Sequence, residues 1–184
     1  AYNCEDYLSD AINSVIAQSY GDWELIILDD GSIDNTFKIA RDFSKMDSRI
    51  KLLKNEKNLG VSETRNRGIS IAVGEWIAFL DSDDMWMPSK LEEQLRVANE
   101  NSAEFLFTGA SYINEVGVPY KGIFEVPKKV TYKKLRNQNV ISCSSVLIKK
   151  KYFKDIKMER DDIHEDYAVW LRILKLGVIA YGVN

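Results

Sequence analysis

Three acidic residues, Asp81, Asp83 and Asp84, stand within four positions directly after the apolar pair Phe79-Leu80. Carboxylates two residues apart, where a strand becomes a loop, can place one oxygen on a metal ion and another on a sugar hydroxyl. Such a pattern is also common as a solvated turn or a helix cap. Here the strand is apolar right up to Asp81, and three acids this close repel one another unless a cation or a donor network relieves them. The pattern therefore predicts a site for a divalent cation, Mn²⁺ or Mg²⁺.

A second acidic segment, Asp29-Asp30-Gly31-Ser32, follows another apolar run. A carboxylate at a sheet edge can accept the imide proton of uracil, which suits a uridine nucleotide. Gly31 would permit close approach of the ligand. An ordinary turn followed by a helix cap is the alternative interpretation of the same residues.

Two further polar clusters each allow a structural and a functional interpretation. Arg65 and Arg67 are by default solvated charges on a helix, but an arginine near the aspartates could contact a nucleotide or orient a carboxylate. The run His164-Glu165-Asp166 suits the start of a helix, where acids interact favourably with the helix dipole. Its functional alternative is a general base.

The composition limits the class of protein. A chain of 184 residues with 45% hydrophobic content can bury one substantial core, so residues 1–184 are predicted to form a single domain. Lys and Arg total 25 against 28 for Asp and Glu, a net charge of -3, so no positive field favours a nucleic acid partner. Cys4, Cys143 and the single His164 fit neither a disulfide framework nor a zinc site, which indicates a reducing, cytoplasmic setting.

The acidic segments have to be positioned by the elements before and after them. Apolar runs of strand length alternate with stretches of helical periodicity. Strands are predicted at Trp23–Leu28, Ile50–Leu53, Trp76–Leu80 and Phe105–Phe107. Helices are predicted at Tyr7–Ala17, from Asp34 to Phe43, at Val61–Val73, from Pro88 onward, and from Glu165 to Gly177.

Continuous apolar strands alternating with helices predict an α/β fold, a Rossmann-like three-layer α/β/α arrangement with a mostly parallel central sheet. Ligands of such sheets bind beyond the carboxyl ends of the strands, where the acids of both segments should converge. The pattern loosens between residues 110 and 150. We therefore expect a nucleotide-sugar-binding half at residues 1–109 and an acceptor-binding half at residues 110–184.

Taken together, an ordered set of motifs resembles the inverting family-two glycosyltransferases of the GT-A fold, and most of all the bacterial enzymes that build surface polysaccharides such as teichuronic acid. The motifs are Tyr2-Asn3, Asp29-Asp30-Gly31-Ser32, Asn58-Leu59-Gly60, Arg65-Asn66-Arg67-Gly68, Phe79-Leu80-Asp81-Ser82-Asp83-Asp84, Glu165-Asp166-Tyr167 and Trp170-Leu171-Arg172. The resemblance implies transfer of a sugar from a nucleoside diphosphate donor, a UDP-sugar, to a glycan or lipid-linked acceptor. It covers nearly the whole chain.

The resemblance also implies roles for individual residues. Tyr2 and Asp30 would lie near the base and Arg65 near the nucleotide. Asp81, with Ser82, would contact the ribose or sugar, and Asp83 would bind the metal. Asp166 would be the general base, with Glu165 as the alternative.

Two departures from the family pattern are expected to matter. Relatives begin with an apolar strand before the Tyr-Asn pair, and that strand is absent from this sequence. They also continue beyond the helix that bears Asp166, so acceptor determinants and any peripheral membrane attachment are expected in segments outside the chain.

Three rival functions are weaker on the same residues. A haloacid dehalogenase type phosphatase wants a small Thr or Val two residues beyond its second acid, where this chain has Met85. A sugar nucleotidyltransferase needs a glycine-rich loop near its start, which is not seen. A catalytically silent nucleotide- or glycan-binding module would have no need of Glu165-Asp166.

Overall fold

The computed structural model describes residues 1–114, 117–120, 122–159 and 164–184. In these ranges the helices are α1 (Leu8–Ile16), α2 (Thr36–Met46), α3 (Val61–Ile71), α4 (Lys90–Asn101), α5 (Tyr132–Asn137) and α6 (Glu165–Lys175), with 3-10 turns at Cys143–Ser145 and Lys150–Lys154. The strands are β1 (Leu25–Asp29), β2 (Ile50–Lys54), β3 (Trp76–Ala78), β4 (Phe105–Thr108), β5 (Lys129–Val130), β6 (Leu147–Lys149) and β7 (Ala180–Val183).

The strands form two sheets. β1 and β2 pair in parallel and make a two-stranded sheet. The first residue of the chain adds to its free edge, because the Ala1 amino group donates to the Leu28 carbonyl and the Ala1 carbonyl accepts the Asp30 N–H, both at 2.8 Å. This is the spacing of a parallel ladder. The strand that the family resemblance places before Tyr2 stays a prediction.

The second sheet has the order β3-β6-β4-β7-β5. The relative directions of its strands differ from the expected mostly parallel arrangement. β4 and β7 are parallel, whereas β6 runs antiparallel to both β3 and β4, and β5 runs antiparallel to β7. β6 comes from the stretch between residues 110 and 150 where no strand was predicted. An apolar run marks a buried strand but carries no information on its direction. The layered α/β class is confirmed, with a mixed sheet.

Several element boundaries differ from the predicted ones by one or two residues. α4 begins at Lys90 and not at Pro88. β3 ends at Ala78, although Phe79 is also buried, because its partner β6 begins only at Leu147 after the 3-10 turn. The chain therefore leaves the sheet just before the acids, so that residues 81–84 form a loop.

The larger core holds α6 in place. Trp170 of α6 is fully buried, with its ring 6.0 Å from that of Phe79 and 5.6 Å from that of Phe105. Burying a ring of this size contributes several kcal/mol, roughly the 3–5 kcal/mol that its removal costs in other cores. Since Phe79 lies two residues before Asp81, the same cluster fixes the acidic loop relative to the start of α6. Among the described helices, none combines the length and the apolar character that a membrane span requires.

Candidate active site

A cleft of about 910 Å³ lies between the first sheet and β3. Residues of the strands β1 and β3 are part of its lining. The predicted nucleotide-sugar and metal residues also line it: Tyr2, Asp30, Arg65, Asp81, Ser82 and Asp83. The structure thus brings together side chains from the first loop, the end of β1, helix α3 and the loop after β3, as expected for the carboxyl ends of strands in an α/β fold.

Tyr2 is presented to the cleft by a pinned first loop. The neighbouring Asn3 adopts a left-handed conformation with φ of 46°, and its side-chain oxygen accepts the Ile33 N–H at 3.0 Å. In return the Asn3 N–H donates to the Ser32 hydroxyl at 3.0 Å, and the Cys4 N–H donates to Thr36. Tyr2 itself is 49% exposed and is available to a ligand.

Asp30 is buried at 4% exposure and is surrounded by donors. Its Oδ1 accepts from Asn55 Nδ2 at 2.6 Å and from the Leu59 N–H at 2.9 Å, and its Oδ2 accepts from the Gly60 N–H at 3.0 Å. Burial alone would raise the pKa of Asp30, but the hydrogen bonds from these groups and from Thr64 outweigh it and lower the pKa below its ordinary value of 3.8. The carboxylate therefore stays ionised and holds the 58–60 loop.

Gly31 explains how close this loop lies. It has a φ of 79°, and a Cβ there would stand 2.8 Å from the backbone of both Lys57 and Asn58. The close approach that was expected for a ligand is made in this structure by the chain's own backbone. Any larger residue at position 31 would push the 57–60 loop away from Asp30.

Arg65 connects the two groups of acids. Its guanidinium donates to Asp81 Oδ1 at 2.5 Å and to Glu165 Oε1 at 2.5 Å, while its own side chain is only 16% exposed. Burial alone would lower the pKa of Arg65, but the acidic groups around it raise the pKa, so the guanidinium stays charged. The interpretation of Arg65 as a solvated surface charge is wrong, and the alternative of an arginine that orients carboxylates is observed.

The two residues after Arg65 hold other parts of the site. Asn66 pairs with the backbone of Met158 in both directions, its Nδ2 donating to the carbonyl at 2.7 Å and its Oδ1 accepting the N–H at 3.1 Å. Arg67 donates to Asn55, which in turn donates to Asp30. Three successive residues of α3 therefore hold different parts of the site. Arg65 connects to Asp81 and Glu165, Asn66 to the segment before α6, and Arg67 to Asp30 through Asn55.

The acidic loop, residues 81–84, is held by groups from outside it. Arg65 bonds to the Asp81 carboxylate, and the Ser144 hydroxyl accepts the Asp81 N–H. Within the described ranges no three His, Cys, Asp or Glu side chains are grouped to hold a metal ion. Magnesium-type sites need only one or two carboxylates and take their other oxygens from water and phosphate. Asp81 and the exposed Asp83 fit a cation that is bound together with a diphosphate.

Asp166 and Glu165 begin α6 and differ in environment. Glu165 is held in the ion pair with Arg65. The Tyr167 N–H donates to Asp166 Oδ1 at 2.7 Å. Burial raises the pKa of Asp166 and outweighs the Tyr167 N–H and the charge of Arg65, which lower it, while the charges of Glu165 and Asp81 act in the same direction as burial. A raised pKa suits a carboxylate that has to accept a proton.

Several positioning residues were not identified from the sequence. The sequence gives only a weak signal for Asn55 and Asn66, namely that a side-chain amide usually has a hydrogen-bond partner where it is buried. Ser144 lies in a region with no recognisable sequence pattern. It is 63 residues from Asp81, so no local feature of the sequence connects the two.

Comparison with known proteins shows the family of this chain. Residues 1–157 match the glycosyl transferase family 2, and the chain belongs to that family. TuaG of Bacillus subtilis (strain 168), a protein named for teichuronic acid biosynthesis, is 39% identical over 184 residues, which are 100% of this chain and 73% of TuaG. The Escherichia coli protein WfgD, a UDP-Glc:alpha-D-GlcNAc-diphosphoundecaprenol beta-1,3-glucosyltransferase, is 41% identical over 177 residues, or 95% of this chain and 67% of WfgD.

Solved structures confirm the GT-A fold. S. aureus TarS 1-349 in complex with UDP-GlcNAc matches with a TM-score of 0.82 at 24% identity, and mannosyltransferase PcManGT from Pyrobaculum calidifontis, in complex with GDP-Man and Mn²⁺, with a TM-score of 0.75 at 14% identity. The matches cover 100% of this chain but only 54% of the TarS chain and 52% of the PcManGT chain. This chain thus spans about half the length of each structure.

Proposed function

We propose that this chain is the catalytic part of an inverting glycosyltransferase that moves a sugar from a UDP-sugar to a glycan or lipid-linked acceptor in surface polysaccharide synthesis. The observation that carries the proposal is the Arg65 bridge, because one guanidinium bonds both to Asp81, predicted for the donor, and to Glu165, the neighbour of the predicted base Asp166. The substrate classes follow from the names of TuaG and WfgD. The two predicted halves of the chain correspond to these two sides. Synthesis from cytoplasmic UDP-sugars would place the enzyme at the inner face of the membrane.

On the donor side, Tyr2 packs against the uracil and Asp30 shapes the loop that receives it. Asp30 acts mainly through this loop, since Asn55, Leu59 and Gly60 already occupy its oxygens. Ser82 and Asp81 face the ribose or the sugar from the cleft wall. Arg65 orients Asp81 for this contact.

A divalent cation, Mn²⁺ or Mg²⁺, would be held by Asp83 with Asp81, and when bound it supplies positive charge for the leaving diphosphate. The chain's own contribution is to hold Asp81 in place, since it is paired with the Arg65 guanidinium, which remains charged.

On the acceptor side, Asp166 accepts the proton of the acceptor hydroxyl while that oxygen attacks the anomeric carbon and the bond to the diphosphate breaks. Attack from the side opposite the leaving group inverts the configuration. Glu165 is a positioning residue in this scheme, because its carboxylate is engaged by Arg65 and cannot take a proton without losing that ion pair.

The test is release of UDP from UDP-sugars with Mn²⁺ or Mg²⁺ and a GlcNAc-diphospho-lipid acceptor. We expect Asp166→Asn to lower kcat by about 10²–10⁴-fold with donor binding retained. Asp155→Asn is the matched control, since it makes the same substitution at an exposed acid eleven positions earlier.

Donor binding without turnover in the unsubstituted protein would instead identify a silent binding module. A near-normal rate for Asp166→Asn would remove it as the base, and Glu165→Gln would then be the next variant to measure.

A further inference from the structure

The 3-10 turn Cys143–Ser145 lies against the acidic loop and bonds to it and to the segment that follows it. Ser144 Oγ accepts the Asp81 N–H at 2.9 Å. The Ser144 carbonyl accepts Trp86 Nε1 at 2.8 Å.

Helix α4 holds this turn from the other side. Gln94 is completely buried, and its Nε2 donates to the Ser145 carbonyl at 2.9 Å. The Lys90 ammonium donates to Gln94 Oε1 at 2.9 Å, which fixes the orientation of the amide, and lies 4.2 Å from the centre of the Trp86 ring. These groups are buried and cannot exchange their partners for water, so each contact depends on the others.

We propose that Ser144 is a positioning residue that fixes the backbone of the acidic loop in the geometry needed for donor binding. Asp83 lies between Asp81 and Trp86, the two residues that Ser144 contacts. Holding a binding group in place before the ligand arrives lowers the cost of ordering it on binding. This inference rests on the proposed donor-binding role of the loop.

The first test needs no ligand. Amide exchange of Asp81 and the indole N–H resonance of Trp86 are measured by NMR in Ser144→Ala, Ser144→Thr and Ser145→Ala. Ser145→Ala is the matched control, because it removes a buried hydroxyl of the same turn whose bond goes to the Ser142 carbonyl. We expect the Asp81 amide to exchange roughly three- to tenfold faster in Ser144→Ala only, since Thr keeps the hydroxyl.

The second test measures UDP-sugar affinity with Mn²⁺ in the same variants. Ser144→Ala should weaken binding roughly three- to tenfold, with Ser145→Ala and Ser144→Thr within about twofold of the unsubstituted protein. If Ser144→Ala does not fold, Trp86→Phe removes the second anchor and keeps the aromatic ring, and it should loosen the Asp81 amide in the same way.

Equal exchange in the Ser144 and Ser145 variants would overturn the inference, as would unchanged donor affinity in Ser144→Ala despite faster exchange. Failure of the unsubstituted protein to bind any UDP-sugar would overturn the proposed function instead, while the exchange measurement still decides whether Ser144 fixes the loop.

Discussion

Asp30 and Asp166 are both carboxylates of the candidate site, but the fold treats them in opposite ways. Asp30 receives hydrogen bonds from backbone and side-chain donors that lower its pKa, whereas burial and neighbouring acids raise the pKa of Asp166. A carboxylate whose oxygens are already bonded is a rigid structural anion, and one with few donors can accept a proton. The difference supports the proposed division between a donor side for fixed binding and an acceptor side for proton transfer.

The largest expected effect tests how the acceptor side is held. Trp170→Ala should lower the free energy of unfolding by about 3–5 kcal/mol, because the fully buried ring joins α6 to the core beneath the acidic loop. Trp170→Phe is the matched control. It keeps an aromatic ring and removes an indole N–H that has no hydrogen-bond partner among the described residues. Urea unfolding measures both, and equal losses in the two variants would contradict the packing argument.

The next effect tests the donor side. Asp30→Asn should cost about 2–3 kcal/mol of stability, because an amide presents N–H groups to the Leu59 and Gly60 donors. The folded pKa of Asp30 lies below its ordinary value of 3.8, so its stabilisation is present above pH 4 and is lost as the pH falls through the folded value.

Urea unfolding of the two proteins between pH 7 and pH 3 checks this expectation. The difference in stability between the unsubstituted protein and Asp30→Asn should shrink towards the acid end. A difference that stays constant with pH would mean that the charge of Asp30 is not the source of its effect.

A smaller, pH-dependent effect concerns the support of the acidic loop. Burial lowers the pKa of Lys90 from 10.5 to about 7. Between these values the unfolded chain binds more protons than the folded one, so stability should rise with pH. Between pH 7 and pH 8.5 the free energy of unfolding of the unsubstituted protein, measured with urea, should rise by about 1–2 kcal/mol relative to that of Lys90→Met. No gain would indicate that the Trp86 ring keeps the ammonium charged.

The smallest expected effect sharpens the comparison between the acids themselves. Glu165 contributes to the raised pKa of Asp166, so Glu165→Gln should move the acid limb of the kcat/KM profile to lower pH. Glu165→Asp keeps the charge and is the control, with the limb closer to that of the unsubstituted protein. A limb that moves to higher pH would contradict the assignment of Asp166 as the group that titrates.

Many of the strands and helices could be predicted from short stretches of the sequence. The strands β1, β2, β3 and β4 and the helices α1 to α4 and α6 lie where periodicity indicated them, because each has an apolar pattern of its own. β5, α5 and β6 lay in the stretch with a looser pattern and were missed, and so was β7, which follows the last predicted helix. β5 has two residues and β6 three, too few for a period to show.

The candidate site divides in the same way. Asp30 and the acidic loop were predicted from residue types at the ends of strands and Arg65 from its helix and the family resemblance, and the structure brings them to one cleft. Their roles in binding and catalysis remain predictions. The partners that hold them, such as Asn55 for Asp30 and Ser144 for Asp81, could not be predicted, since polar residues of these types are usually at the surface.

The sequence by itself determined the family, the order of most elements and the position of the acids after apolar strands, because these are properties of short segments. Only the tertiary structure decided which way β6 runs and which donors meet which acids. Arg65 and Glu165 are 100 positions apart, and Asp81 and Ser144 are 63 apart. Such pairs form only when the strands and helices between them have packed, so no local pattern can indicate them.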